Sequence, residues 1–202
     1  MSKPCKIFKA LRWFVHVSLA SMRAHIRRRR KHCRKPIDFQ PSNTKIITRE
    51  AESAVKLGAM ELDMVINHAW LRAKHYQDVF EDVVAVRNSA PQPIILKVIL
   101  ETSVLSREDI VAGCKIAEMA KADFVKTSTG FNGHGATVEN VRLMKAVVGH
   151  RLKVKASGGV KRLKDLEAMA QAGADRIGAS SGVAIIHEVV GGDTEPQSHT
   201  QY

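Results

Sequence analysis

A chain of 202 residues holds one domain, or one domain with a tail, and its 45% apolar content is ordinary for a water-soluble fold. Three widely spaced cysteines, Cys5, Cys33 and Cys114, with no C-x-x-C pair, argue against a disulfide framework or a zinc site and fit a reducing compartment such as the cytoplasm. The formal net charge of +12 belongs to one end: residues 1–36 carry 12 of the 32 Lys and Arg and no acid, so the rest balances at 20 basic against 20 acidic residues and need not bind nucleic acid.

Taken in chain order, residues 1–43 read as a separate basic piece, unrelated to the rest of the chain and expected to be disordered. They contain an apolar stretch, Ala10–Met22, broken by Arg12 and His16 and too short to span a bilayer, then Arg27-Arg28-Arg29-Arg30-Lys31, Pro36 and Pro41. Such a segment is compatible with a mitochondrial transit peptide, or with binding anionic membrane or nucleic acid through phosphates. From residue 44 to 191 the pattern alternates. A helix over Arg49–Gly58 precedes a strand over Glu61–Asn67, and a helix over Tyr76–Ser89 precedes a strand over Ile94–Glu101. Ser106-x-x-Asp109 predicts a capping box opening a helix to Ala120, followed by a strand over Asp123–Ser128. A helix over Thr137–Val148, a strand over Leu152–Ala156, a helix over Leu163–Ala172 and a strand over Asp175–Ala179 complete the series, with a short apolar segment, Val183–Val190, after it. Residues 192–202 are expected to form a disordered tail. Repeated βα units imply parallel strands with right-handed crossovers. Five strands are fewer than the eight of a (β/α)8 barrel of about 250 residues, so the body reads as five-eighths of a barrel or a smaller open α/β sheet.

Ligands of parallel α/β proteins gather at the C-terminal strand ends, which here are polar and glycine-rich. Strand residues two apart share a face. If the faces point inward, Asp63, Lys97, Lys126 and Lys155 converge, with the stems of Lys126 and Lys155 roughly 5 Å apart on adjacent strands. A buried ammonium is costly. One such charge is commonly a structural ion pair, whereas four converging at one end favour function. Paired amines lower each other's proton affinity, and a free amine at neutral pH is what Schiff-base chemistry with a carbonyl requires. Gly158-Gly159 and Gly178-Ala179-Ser180-Ser181-Gly182 occupy the last two strand-end loops, where barrels bind phosphate on backbone N–H groups; Ser180 and Ser181 could add hydroxyl donors. Gly133-His134-Gly135 lacks the third glycine of a dinucleotide fingerprint, no Walker A pattern occurs, and His187-Glu188 lacks a second histidine at zincin spacing. Neither metal nor organic cofactor is expected.

The runs Glu61–Asn67, Leu96–Thr102, Asp123–Gly130, Val154–Gly159 and Arg176–Ser181 closely resemble the deoxyribose-phosphate aldolase family, in order, from about Thr48 to about Val190. The resemblance implies a metal-independent class I aldolase on a (β/α)8 barrel. It would interconvert 2-deoxy-D-ribose 5-phosphate with D-glyceraldehyde 3-phosphate and acetaldehyde in deoxyribonucleotide catabolism, and homo-oligomers are an expectation to test. By the same resemblance Lys126 is the Schiff-base lysine, Lys155 the second lysine that perturbs it and moves protons, and Asp63 the acid of the proton relay. Gly130, Gly158, Gly159, Gly178, Ser180 and Ser181 match the phosphate-contacting loops, and Lys97 a lysine lining the site. The family has three strands before the one at Glu61, and residues 1–43 resemble none of them. The expected architecture is therefore a barrel truncated at its N-terminal side to about five βα units. The alternative is an inactive remnant that acts through its basic tail.

Overall fold

Strand side chains alternate between two faces, and in this chain the two rows differ in chemistry. In the computed structural model, which describes residues 44–190, helix α1 (Thr44–Lys56) leads into β1 (Glu61–Val65). Then come α2 (His68–Arg72), α3 (Tyr76–Ser89), β2 (Ile95–Ile99), α4 (Arg107–Met119), β3 (Phe124–Lys126), α5 (Val138–Val148), β4 (Lys153–Ser157), α6 (Leu163–Gln171), β5 (Arg176–Gly178) and α7 (Gly182–Val190). The strands form one parallel sheet in the order β1-β2-β3-β4-β5, as expected of consecutive βα units. Among the described residues, the outer edges of β1 and β5 pair with no further strand. The basic segment 1–43 and the tail 192–202 lie outside the described residues.

One row of the sheet is apolar throughout: Leu62, Met64, Leu96, Val98, Val125, Val154, Ala156 and Ile177. It packs into a single core with Val79, Val83 and Val86 of α3, Ile110, Cys114 and Ala117 of α4, Val141 and Met144 of α5, and Leu166 and Met169 of α6. Burial of this row against the helices is the main favourable term in the fold. The opposite row carries Glu61, Asp63, Lys97, Lys126, Lys155 and Arg176, and the sheet curves around it. The curvature is strong enough for side chains of the first and last strands to touch: Arg176 Nη1 lies 2.7 Å from Glu61 Oε2, across 115 residues of sequence. No described helix is long and apolar enough to cross a membrane.

Two helices open on short hydroxyl side chains, one of them the predicted cap Ser106. Ser106 Oγ accepts the Asp109 N–H at 3.2 Å, and Thr137 Oγ1 accepts that of Asn140 at 3.1 Å. The Asp109 carboxylate turns outward to Lys74 Nζ at 2.6 Å. Other boundaries move. The first helix begins at Thr44, five residues before its predicted start, where the Thr44 hydroxyl donates to Asp82 Oδ1. The third strand is three residues long, and the side chains that flank it reach the backbone of the neighbouring strands. Asp123 Oδ2 accepts the Leu96 N–H at 2.8 Å and pairs with Arg87, while Thr127 Oγ1 accepts the Ser157 N–H at 3.0 Å. Asn67, predicted as strand, instead caps the unforeseen α2 through Trp70 N–H.

Candidate active site

The parallel register sets the site. Asp63 pairs with Lys97 across β1 and β2, Ile99 with Lys126 across β2 and β3, Lys126 with Lys155 across β3 and β4, and Lys155 with Arg176 across β4 and β5. Partners in a parallel register share a face, so all five charged groups point into the concavity. Asp63 stands at the centre. Its Oδ1 accepts from Lys97 Nζ at 2.7 Å, and its Oδ2 accepts from both Lys126 Nζ at 2.9 Å and Lys155 Nζ at 3.4 Å. Lys97 Nζ also reaches Glu61 Oε2 at 2.6 Å. The side chains of Asp63 and Lys126 are 4% and 6% exposed and that of Lys97 is 1%, which makes the pairing obligatory.

Two carboxylates therefore face three ammoniums and a guanidinium, and the electrostatics reflect that imbalance. Burial alone would raise the Asp63 carboxyl; the ammoniums of Lys126, Lys155 and Lys97 outweigh it and hold Asp63 far below the usual carboxylate range. Glu61 is lowered in the same way by Lys97 and Arg176 against its own burial. Burial, with the neighbouring ammoniums of Lys126 and Lys97, pushes Lys155 down to about 8 despite the attraction of Asp63. In Lys155 the concavity thus holds an amine that exchanges its proton near pH 8, next to a carboxylate that stays ionised.

A folded-state value of about 8 against about 10.4 in the unfolded chain has a signed consequence for stability. Between those values the unfolded chain binds more protons, so stability from this group rises with pH. Below about pH 8 the buried ammonium of Lys155 opposes folding. Lys155→Met, which keeps the stem, is expected to be more stable than the parent at pH 7. Its advantage should shrink between about pH 8 and 10.4. Urea unfolding at pH 7 and pH 10 checks this; an advantage that grows with pH contradicts it.

The predicted loops sit above these amines. Gly158 and Gly159 come after β4 with φ of +81° and +77°. A Cβ on Gly158 would stand 3.0 Å from Gly135 Cα and 3.4 Å from Gly130 Cα, and one on Gly159 would stand 2.9 Å from the His134 carbonyl oxygen. The β3 and β4 loops therefore pack backbone on backbone, which brings Gly130 beside the Gly158-Gly159 turn. Gly178 ends β5, and a Cβ there would lie 2.7 Å from Ser157 Oγ and 3.4 Å from Lys155 Cε, so its bareness keeps space open at Lys155. Ser180, exposed, and Ser181, half-buried, lead directly into the N-terminus of α7, with the Ser181 carbonyl accepting the Ile185 N–H at 3.0 Å. Free helical N–H groups and this cationic interior make one face of the molecule attractive to an anion.

Three groups beyond the residues singled out from the sequence belong to the site or hold its loops. Glu61 lies two residues before Asp63 and so shares its face; Arg176 shares the parity of Gly178. Alternation could have found both. Glu101 could not have been found this way. It adopts φ +55° just past β2, and its Oε2 accepts the Thr129 N–H at 3.1 Å and the Thr129 hydroxyl at 2.5 Å. This left-handed turn of a non-glycine residue fastens the end of β2 to the loop after Lys126, the kind of strain found where a loop must be held.

The sheet, its helices and the charged concavity define a (β/α)8-barrel type of protein with an amine-rich mouth at its C-terminal strand ends. The chain belongs to the DeoC/LacD family of aldolases, whose family model matches residues 32–188. A deoxyribose-phosphate aldolase from Coccidioides immitis (strain RS) is 52% identical over 159 residues, 76% of this chain and 59% of that protein. A solved structure from Coccidioides immitis superposes with a TM-score of 0.71 at 50% identity, covering 76% of this chain and 62% of the other. A tetrameric deoxyribose phosphate aldolase from Aeropyrum pernix superposes with a TM-score of 0.66 at 29% identity, covering 75% and 65%. The chain spans 59% of the length of the Coccidioides relative and similar shares of others.

Proposed function

We propose that this site performs class I aldol cleavage of 2-deoxy-D-ribose 5-phosphate to D-glyceraldehyde 3-phosphate and acetaldehyde. The observation that carries the proposal is the sharing of Asp63 Oδ2 by Lys126 and Lys155, at 2.9 and 3.4 Å. In this reading Lys126, freed of its proton, adds to the C1 aldehyde; the resulting hydroxyl takes a proton from Lys155 and leaves as water, giving an iminium. Breaking the C2–C3 bond sends its electron pair into the iminium as an enamine, while the C3 hydroxyl loses its proton and becomes the carbonyl of the departing triose. Protonation of the enamine at C2 and hydrolysis release acetaldehyde and restore the amine.

The proton acceptor must be matched to neutral pH. Asp63, held far below the carboxylate range, is too weak a base for a hydroxyl proton and serves as the fixed negative pole. Lys155, near 8, is the better-matched carrier between substrate and water. Lys97, fully buried between Glu61 and Asp63, orients the carboxylate. The chemistry rests on the amines and draws on no metal. Acetaldehyde release from 2-deoxyribose 5-phosphate, together with borohydride trapping of acetaldehyde at one lysine, tests the proposal. A chain that does neither defeats it.

The phosphate would rest on Gly130, Gly158, Gly159, Gly178 and the residues that open α7, Ser180 and Ser181. Because backbone N–H groups would carry most of this contact, Gly159→Ala is expected to raise KM for the phosphorylated sugar about tenfold or more. It disturbs a positive-φ turn and collides with the His134 carbonyl. Ser181→Ala should change KM far less. Equal effects of the two substitutions on KM, or equal use of phosphorylated and free deoxyribose by the parent, would contradict this. We further propose that residues 44–191 form the catalytic body, that the protein works in the cytoplasm, where the buried, free Cys114 stays reduced, and that it is a homo-oligomer. The tetramer of the Aeropyrum pernix protein supports the oligomer.

A further inference from the structure

The charges of the concave face form a layered chain in which only the upper part is used by the proposed chemistry. Arg176 Nη1 donates to Glu61 Oε2 at 2.7 Å, and the same oxygen lies 2.6 Å from Lys97 Nζ. Lys97 Nζ then donates to Asp63 Oδ1 at 2.7 Å, and Asp63 Oδ2 serves Lys126 and Lys155. Lys97 is fully buried and divides its charge between two carboxylates. With Glu61 neutral, that ammonium would lean wholly on Asp63 and compete with the two upper lysines for it. Arg176 acts from the other side. It balances Glu61, stacks over the Phe124 ring at 4.7 Å, and is the register partner of Lys155 on the neighbouring strand.

We propose that Glu61 and Arg176, one layer below the reacting groups, are positioning residues that set the proton affinity of Lys155 in opposite directions through Lys97 and Asp63. The inference rests on the aldolase reading for its functional meaning but not for its test. Among the described residues, the charged groups on the sheet face of Lys155 are Glu61 and Asp63 from β1, Lys97 from β2, Lys126 from β3, Lys153 at the start of β4 and Arg176 from β5. Removing the negative charge of Glu61 strips one of two carboxylates from this set and draws Asp63 toward Lys97. Both effects make an ammonium at Lys155 less favourable. Removing Arg176 takes away a cation on the strand beside Lys155 and leaves more of the charge of Glu61 to Lys97, which makes an ammonium at Lys155 more favourable.

The experiment is a titration of Lys155 by NMR on the full chain labelled with 13C,15N-lysine, the signal being assigned by its loss in Lys155→Met. Glu61→Gln should lower the Lys155 midpoint and Arg176→Met should raise it, each by about half a pH unit or more. A pair that merely ties β1 to β5 would lower the melting temperature in both variants without opposed shifts. Both signs are required, and any other pattern overturns the inference. If Glu61→Gln does not fold, the Arg176→Met arm decides alone, and no upward shift there overturns it. Borohydride trapping of acetaldehyde on the same samples reports separately: a parent that titrates as stated but forms no imine refutes the aldolase reading and leaves this one standing.

Discussion

Lys126→Met is expected to abolish borohydride-trapped incorporation of acetaldehyde and to lower turnover of 2-deoxyribose 5-phosphate by about 10^4-fold or more, as befits removal of a covalent nucleophile. Methionine keeps the apolar stem in its buried place on β3 and deletes only the amine. Asp63 is not orphaned, since Lys97 and Lys155 still donate to it at 2.7 and 3.4 Å, so the variant should fold with little loss of stability. Lys97 is fully buried and committed to two carboxylates, so Lys155, lowered to about 8, is the amine against which the Lys126 assignment has to be tested. Mass spectrometry of the trapped protein locates the adduct. A label that persists in Lys126→Met with turnover retained would move the imine to another amine and sink the assignment.

Much of this site is legible in the sequence, and the reasons are local. Period-two alternation places Lys126 on one face of β3 and Lys155 on one face of β4, and the parallel register puts them side by side. The same parity carries Asp63 and Lys97 inward, and the register pairs them. Helix starts are readable at Ser106 and Thr137 because a short hydroxyl side chain satisfies a free N–H at a fixed offset. Strand lengths are not readable. Thr127 donates its N–H to the Lys155 carbonyl and also sets its hydroxyl on the backbone of Ser157, thirty positions away, outside the assigned strand. Glu101 is the clearest limit, because its sequence context is that of a strand end and its left-handed turn is set by the Thr129 loop it holds. The contact of Glu61 with Arg176 depends on the curvature of the whole sheet, a property that no single strand carries.

Asp63→Asn should be the most damaging single change to stability, although it alters one atom. The amide oxygen can still accept a hydrogen bond, but the charge that holds Lys126 and Lys155 is gone, and Lys97 keeps only Glu61. Leaving buried ammoniums uncompensated costs about 3–5 kcal/mol in comparable buried pairs. Turnover should fall by about 10^2–10^4-fold, because Lys155 loses the negative pole that positions it for proton carriage. The pH dependence carries the sign. The folded carboxyl of Asp63 lies below its unfolded value of about 3.9, so its contribution is fully present above that value and is lost as pH falls below it. The stability gap between parent and Asp63→Asn should therefore be wide at pH 7, equally wide at pH 5, and narrower at pH 3. Urea unfolding at the three values measures it. Lys155→Met combined with Asp63→Asn should recover part of the loss, because it removes one of the ammoniums left without a partner. Equal stability of parent and Asp63→Asn at pH 7, or a gap unchanged down to pH 3, would mean that Asp63 does not hold the cluster together.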